Sequence, residues 1–211
     1  MNTILSSLSL AQTRSSSISF GSRSILCFGF ALGVAWANCC VAAETPSELT
    51  LHITEVDDAY ELSVPVSRLI MRIPKGHLLP LPRTNTGATA SPRYFYFGDK
   101  TRRLLVSGWF EGSNARGFPT LGAYWANQRE EWRKRGMPIP IFEEAFVLKG
   151  WDAMVYEMPM QSGHISNVRA HWVSAGTWID LHLSVSSDNE SDRLRTDLKE
   201  FLSSVEVTQK P

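Results

Sequence analysis

Cysteine is scarce in this chain of 211 residues: Cys27, Cys39 and Cys40 are the whole supply, and none follows position 40. Acidic residues are missing from the other end, since no Asp or Glu precedes Glu44. Net charge is absent as well, with 21 Lys and Arg balancing 21 Asp and Glu, which argues against a dedicated nucleic-acid binder. No apolar run reaches the roughly 20 residues of a strong membrane-spanning helix. At 43% hydrophobic and 20% charged, the composition excludes wholesale disorder and collagen-like architecture.

The acid-free N-terminus reads as an address. It is rich in Ser, carries Arg14 and Arg23, and leads into an apolar run from Ile25 to Ala37 of about 13 residues, the length of a signal-peptide core. Val41-Ala42-Ala43 offers small residues for a signal peptidase, so residues 1–43 are expected to be an export signal cleaved after Ala43. The destination is then the periplasm or the exterior. The same pattern also suits a bipartite transit peptide ending in a thylakoid lumen signal. All three cysteines would leave with this leader, and 19 basic residues would remain against 21 acidic ones. Residues 44–211 would form one slightly acidic domain without disulfides or thiol chemistry, large enough to be held by its own core.

Beyond the leader, hydrophobic periodicity alternates between two and about 3.6. Leu49–Val66 reads as a hairpin about Asp57-Asp58, and Leu69, Met71 and Ile73 continue in extended style. Residues 76–92, with Pro80, Pro82 and Pro92, are expected to be a flexible loop. A second hairpin joins Arg93–Phe97 to Leu104–Phe110. Leu121, Tyr124, Trp125, Gln128 and Trp132 share one helical face, ended by Gly136 and Pro138. Two more hairpins follow, Phe142–Leu148 with Ala153–Met158 and Ile165–Val173 with Trp178–Ser186. A capping box at Ser187–Glu190 then opens a helix with Leu194, Leu198, Phe201, Leu202 and Val205 as its stripe. The fold class implied is α+β: an antiparallel β-sheet of hairpins packed by two amphipathic helices, an α/β/α sandwich.

This order resembles the PsbP-like group of exported or lumenal domains. The resemblance rests on the hairpin Leu49–Val66, the helix around Tyr124–Arg135, the strand Gly176–Leu183 (Gly-Thr-Trp-Ile-Asp-Leu-His-Leu) and the closing helix. The group's aromatic-Pro-Trp segment after the first hairpin is replaced here by Val64-Pro65-Val66-Ser67-Arg68. The resemblance implies an accessory or binding module without catalysis of its own.

Candidate chemistry concentrates on the last hairpin. If Ala175-Gly176 is a two-residue turn, His171 faces Asp180, Arg169 faces His182 and Asn167 faces Ser184, all on one side of the sheet. His171, Asp180 and His182 have the ligand types of a metal site, and His, Asp and Ser suit hydrolysis. Diagonal strand neighbours are about 7 Å apart, too far for a Ser–His contact, and Gly-x-Ser-x-Gly, H-E-x-x-H and phosphate-binding glycine loops are missing. The alternative enzyme, metal-dependent or hydrolytic, would use that strand face.

The favoured function is an exported, non-catalytic binding or accessory protein of the cell envelope, of immunity or complex-assembly type. It needs no cofactor, and its partner is another exported or envelope protein, with oligomeric state open. Its binding residues are expected in the aromatic hairpin, Tyr94, Tyr96 and Trp109, with Arg129 and Arg133 as a basic patch on the central helix.

Overall fold

In a computed structural model, residues 50–82, 91–115, 117–187 and 191–210 are described. Residues 1–49, with the expected leader and the three cysteines, and capping-box residues 188–190 lie outside them. Among the described residues, eleven strands form two sheets in which every pairing is antiparallel. The smaller sheet holds β1 (His52–Val56), β2 (Ala59–Ser63), β3 (Leu69–Pro74) and β11 (Glu206–Gln209). The larger sheet holds β4 (Leu79–Pro80), β5 (Tyr94–Asp99), β6 (Leu104–Gly112), β7 (Phe142–Leu148), β8 (Trp151–Pro159), β9 (His164–Ser174) and β10 (Thr177–Ser187). Its spatial order is β4-β5-β6-β10-β9-β8-β7. The helices are α1 (Leu121–Lys134) and α2 (Ser191–Ser204). The class is α+β, mostly antiparallel sheet with two helices.

Turn chemistry sets the registers. Lys149 and Gly150 both have positive φ, as do Ala175 and Gly176, the conformation that matches the right-handed twist of two flanking strands. The second turn fixes β9 against β10 with Asp180 opposite His171, His182 opposite Arg169 and Ser184 opposite Asn167, the register expected from the sequence. Gly108 marks the closest approach of β6 to β10. A Cβ there would lie 1.9 Å from the Asp180 carbonyl oxygen, so no other residue fits without moving the strands.

The larger sheet has one apolar face and one aromatic, polar face. Phe95, Phe97, Val106, Phe110, Val168, Ala170, Ile179, Leu181 and Leu183 lie on the first. Against it pack the smaller sheet, through Tyr60, Leu62, Met71 and Ile73, and α2, through Leu198 and Leu202, as one buried cluster. Helix α1 packs on the second face, where Leu121, Trp125 and Trp132 meet Met154 and Tyr156 of β8. Thr120 caps α1 by accepting a hydrogen bond from the Ala123 N–H at 3.1 Å. Thr120→Ala should cost about 1 kcal/mol, read as a lower urea midpoint with an unchanged m-value.

Three expectations need correction. The strands divide between two sheets, because the first hairpin continues through β3 and recruits β11 rather than joining the other hairpins. The closing helix ends at Ser204, so Val205 belongs to the link into β11, a strand too short to show as a periodic pattern. The 76–92 segment is not all loop: Leu79 and Pro80 pair with Gly98 and Phe97 of β5, while 83–90 lie outside the described residues.

Candidate functional site

Cross-strand registers assemble the polar face into rows. One row reads Tyr94, Trp109, Asp180, His171, Asp152 across β5, β6, β10, β9 and β8. The next reads Tyr96, Ser107, His182, Arg169, Met154, and a third brings Leu105, Ser184, Asn167 and Tyr156 side by side. Tyr94, Tyr96 and Trp109 are thus direct or diagonal neighbours, with Tyr94 in contact with both other rings at 6.2 Å between centroids.

Arg169 is the hub. Its guanidinium donates to Asp180 Oδ2 and sits between two aromatic rings, 5.2 Å from the centre of Trp109 and 5.3 Å from that of Tyr124 on α1. Both charges are buried. Burial alone would raise the Asp180 pKa, but Arg169 and His171 outweigh it and hold the carboxyl below its usual value. Burial likewise opposes the charge on Arg169, and Asp180 overcomes it, so the guanidinium holds its proton more tightly than usual. The pair is charged throughout the ordinary pH range.

The two histidines go separate ways. His171 is fully buried, with Nε2 3.5 Å from Asp180 Oδ1 but not aligned for a hydrogen bond, and its ring meets Tyr124 and Trp178 edge-on at 4.9 and 5.2 Å. His182 Nε2 lies 3.2 Å from both the Tyr156 hydroxyl and Asn167 Oδ1. The Asn167 amide nitrogen donates to the Ile165 carbonyl, so Oδ1 faces the ring as an acceptor and Nε2 carries the hydrogen. Burial first, then the Arg169 charge, pulls the His182 pKa down to about 3. Burial pushes the Tyr124 phenol up to about 12 and raises Tyr156 and Tyr94 as well. At neutral pH Tyr124 on α1 and Tyr94, Tyr156 and His182 on the sheet therefore stay neutral around one fixed ion pair.

This arrangement suits rigid support better than acid–base chemistry. Asp180 is held ionised and cannot donate a proton, His182 is a weak base already engaged by two side chains, and α1 roofs the row. Among the described residues, no three His, Cys, Asp or Glu side chains converge to hold a metal ion. The set His171, Asp180 and His182 is split between one ion-pair neighbour and one hydrogen-bonded imidazole on the next row.

The expected binding residues divide in the same way. Tyr94, Tyr96 and Trp109 form one patch on β5 and β6, with Tyr94 buried and the other two half-buried. Arg129 and Arg133, expected as a basic patch on the central helix, lie on α1 away from these rings. Arg129 reaches Glu143 on β7 at 3.1 Å, near the opposite edge of the sheet, and Arg133 pairs with Glu130 on the solvent side of α1. Sequence reasoning missed Tyr124 and Tyr156 as site residues. Tyr124 sat in the helical stripe and Tyr156 inside the strand Ala153–Met158, although the phenol oxygens were the available signal.

A cleft of about 730 Å³ opens on the other side of the molecule, among Lys75, His77, Arg102, Arg193, Asp197 and Phe201. Its rim mixes both charge signs, and none of the residues selected from the sequence lines it. No helix among the described residues is long and apolar enough to cross a membrane.

No family model matches this chain. No curated protein matches it either. Among solved structures, a protein from Bacteroides thetaiotaomicron is similar at 10% identity with a TM-score of 0.40 over 67% of this chain. The chain spans 46% of that protein's length. A protein of unknown function from Pseudomonas aeruginosa is similar at 11% identity and a TM-score of 0.36, covering 74% of this chain and 95% of that one.

Proposed function

We propose that this chain is an exported, non-catalytic accessory protein that binds another exported or envelope protein through the Tyr94–Tyr96–Trp109 face, in an immunity or complex-assembly role. The PsbP-like arrangement, helices on either side of an antiparallel sheet, belongs to the same proposal. One observation carries the binding reading: Tyr96 and Trp109 stand half-buried on β5 and β6, beside Arg169, which stacks on Trp109 and is fixed by Asp180. Aromatic side chains with apolar bodies and polar tips, held in one orientation before binding, lose little entropy on contact and are enriched at interface centres. The buried network supports this role by holding the patch rigid.

The test uses the purified chain as bait in an envelope extract, beside Tyr96→Ala and Trp109→Ala variants checked for native circular dichroism. A partner retained by the parent chain should bind each variant about 30-fold more weakly, equivalent to about 2 kcal/mol. Equal retention by all three proteins sinks the assignment of this face. Finding no partner, together with bound metal in the purified protein, returns the reading to the enzyme class.

A further inference from the structure

The larger sheet ends at β7, and among the described residues no strand pairs with its outer side. Seven residues long, free of Pro, it leaves a row of backbone donors and acceptors facing outward. The Lys149-Gly150 turn makes Leu148 and Trp151 the first hydrogen-bonded pair of the hairpin. Alternation from that pair turns the N–H and C=O groups of Glu143, Ala145 and Val147 away from β8.

This edge is also where exposed apolar side chains gather. Val147 and Ile141 are the two most exposed large hydrophobic residues described, at 74% and 65%, and Ile139 and Met160 stand exposed at the entrance to the strand. The opposite edge differs: β5 is partly covered by β4, which contains Pro80. An open apolar edge invites an added strand.

We infer that β7 is a self-pairing edge, joining two copies of this chain antiparallel about a two-fold axis through Ala145. The sequence Phe-Glu-Glu-Ala-Phe-Val-Leu singles out this register. Centred on Ala145, all seven residues pair, Val147 faces Glu143 of the second copy, and Glu144 faces Phe146. Moving the centre to Glu144 or Glu143 puts like charges directly opposite, which is destabilising. Moving it to Phe146 shortens the overlap by running into the turn. In the Ala145 register the outward groups of Glu143, Ala145 and Val147 meet their own counterparts, as a two-fold interface requires. The charges are also prepared: Glu143 is held by Arg129 and Trp125, and Glu144 by Lys199, whose ammonium lies over Phe146. The two carboxylates exclude the wrong registers and cost little in the right one. The surface lies at the far edge of the sheet from Tyr94–Trp109, so dimerisation leaves the proposed partner face open.

Sedimentation equilibrium on the purified chain and two variants tests this. The parent chain should sediment at twice the monomer mass. Ala145→Pro removes an outward N–H without breaking a bond to β8, and Val147→Lys places a charge in the new seam at an exposed position. Each should weaken association at least about tenfold while circular dichroism stays native. If Ala145→Pro fails to fold, Val147→Lys decides alone. A parent chain that is monomeric at ~100 µM, or a dimer that both folded variants leave unchanged, overturns the inference. So does a β7 edge that takes up a strand only from a different polypeptide.

Discussion

Arg169→Met should lower the stability of this protein by about 3–5 kcal/mol, the loss typical of removing one partner from a buried ion pair. The size follows from what is left behind. Asp180 is fully buried and depends on the Arg169 guanidinium for its charge compensation, since its Oδ1 makes no hydrogen bond among the described residues. Without the guanidinium, the carboxylate must take up a proton or draw in water, and the space between Trp109 and Tyr124 loses its planar filler. Urea unfolding followed by Trp fluorescence would measure it. Arg169→Met combined with Asp180→Leu should recover most of the loss, because two apolar side chains satisfy the site once neither charge remains. A single variant as stable as the parent would mean that water already compensates Asp180, and the hub role would fall. The same variant should loosen Trp109, so a partner measured on the Tyr94–Tyr96–Trp109 face should bind it more weakly even under conditions where it remains folded.

Acidification should destabilise the protein as the pH falls through the ordinary histidine range. An imidazole held near a pKa of about 3 in the folded chain binds fewer protons below pH 6.5 than the same imidazole in the unfolded chain. Its contribution is therefore fully present above pH 6.5 and is lost as pH falls toward 3. Between pH 6.5 and 4.5 the expected loss is about 2 kcal/mol, since the slope rises from about half of 1.4 kcal/mol per pH step at the unfolded pKa to nearly all of it one step lower. Asp180 adds to the loss only at lower pH, as its depressed pKa is approached. Urea midpoints at several pH values would follow this, with His182→Gln as the control. The variant keeps a polar group beside Tyr156 and Asn167 and should flatten the profile across that window. An identical slope in parent and variant would assign the acid sensitivity to other groups.

Much of the frame was legible in residue order. Alternation marked the principal hairpins, and 3.6-periodicity marked α1 and α2 nearly to their ends. The Ala175-Gly176 turn was sufficient to place His171 opposite Asp180. These features are local: a two-residue turn with positive φ dictates register, and a strand's two-residue period dictates which side chains share a face. The separate sheet of β1, β2, β3 and β11 was not legible, because β11 joins β3 across more than a hundred residues and neither strand's pattern names its partner.

By itself, then, the sequence determined the principal elements, the register of the final hairpin and the membership of its polar face. The tertiary structure alone decided what that face is. Alternation is the same for a strand face open to water and one roofed by a helix. Only the docking of α1 brought His171, Asp180 and His182, the residues weighed as metal ligands, together with Arg169 under a roof of aromatic rings. Once Tyr124 and Trp125 lie over it, desolvation and the Arg169–Asp180 pair keep Arg169 and Asp180 charged and His182 neutral. It is this fixed network that leaves Tyr96 and Trp109 as the ordered, half-open edge of the face.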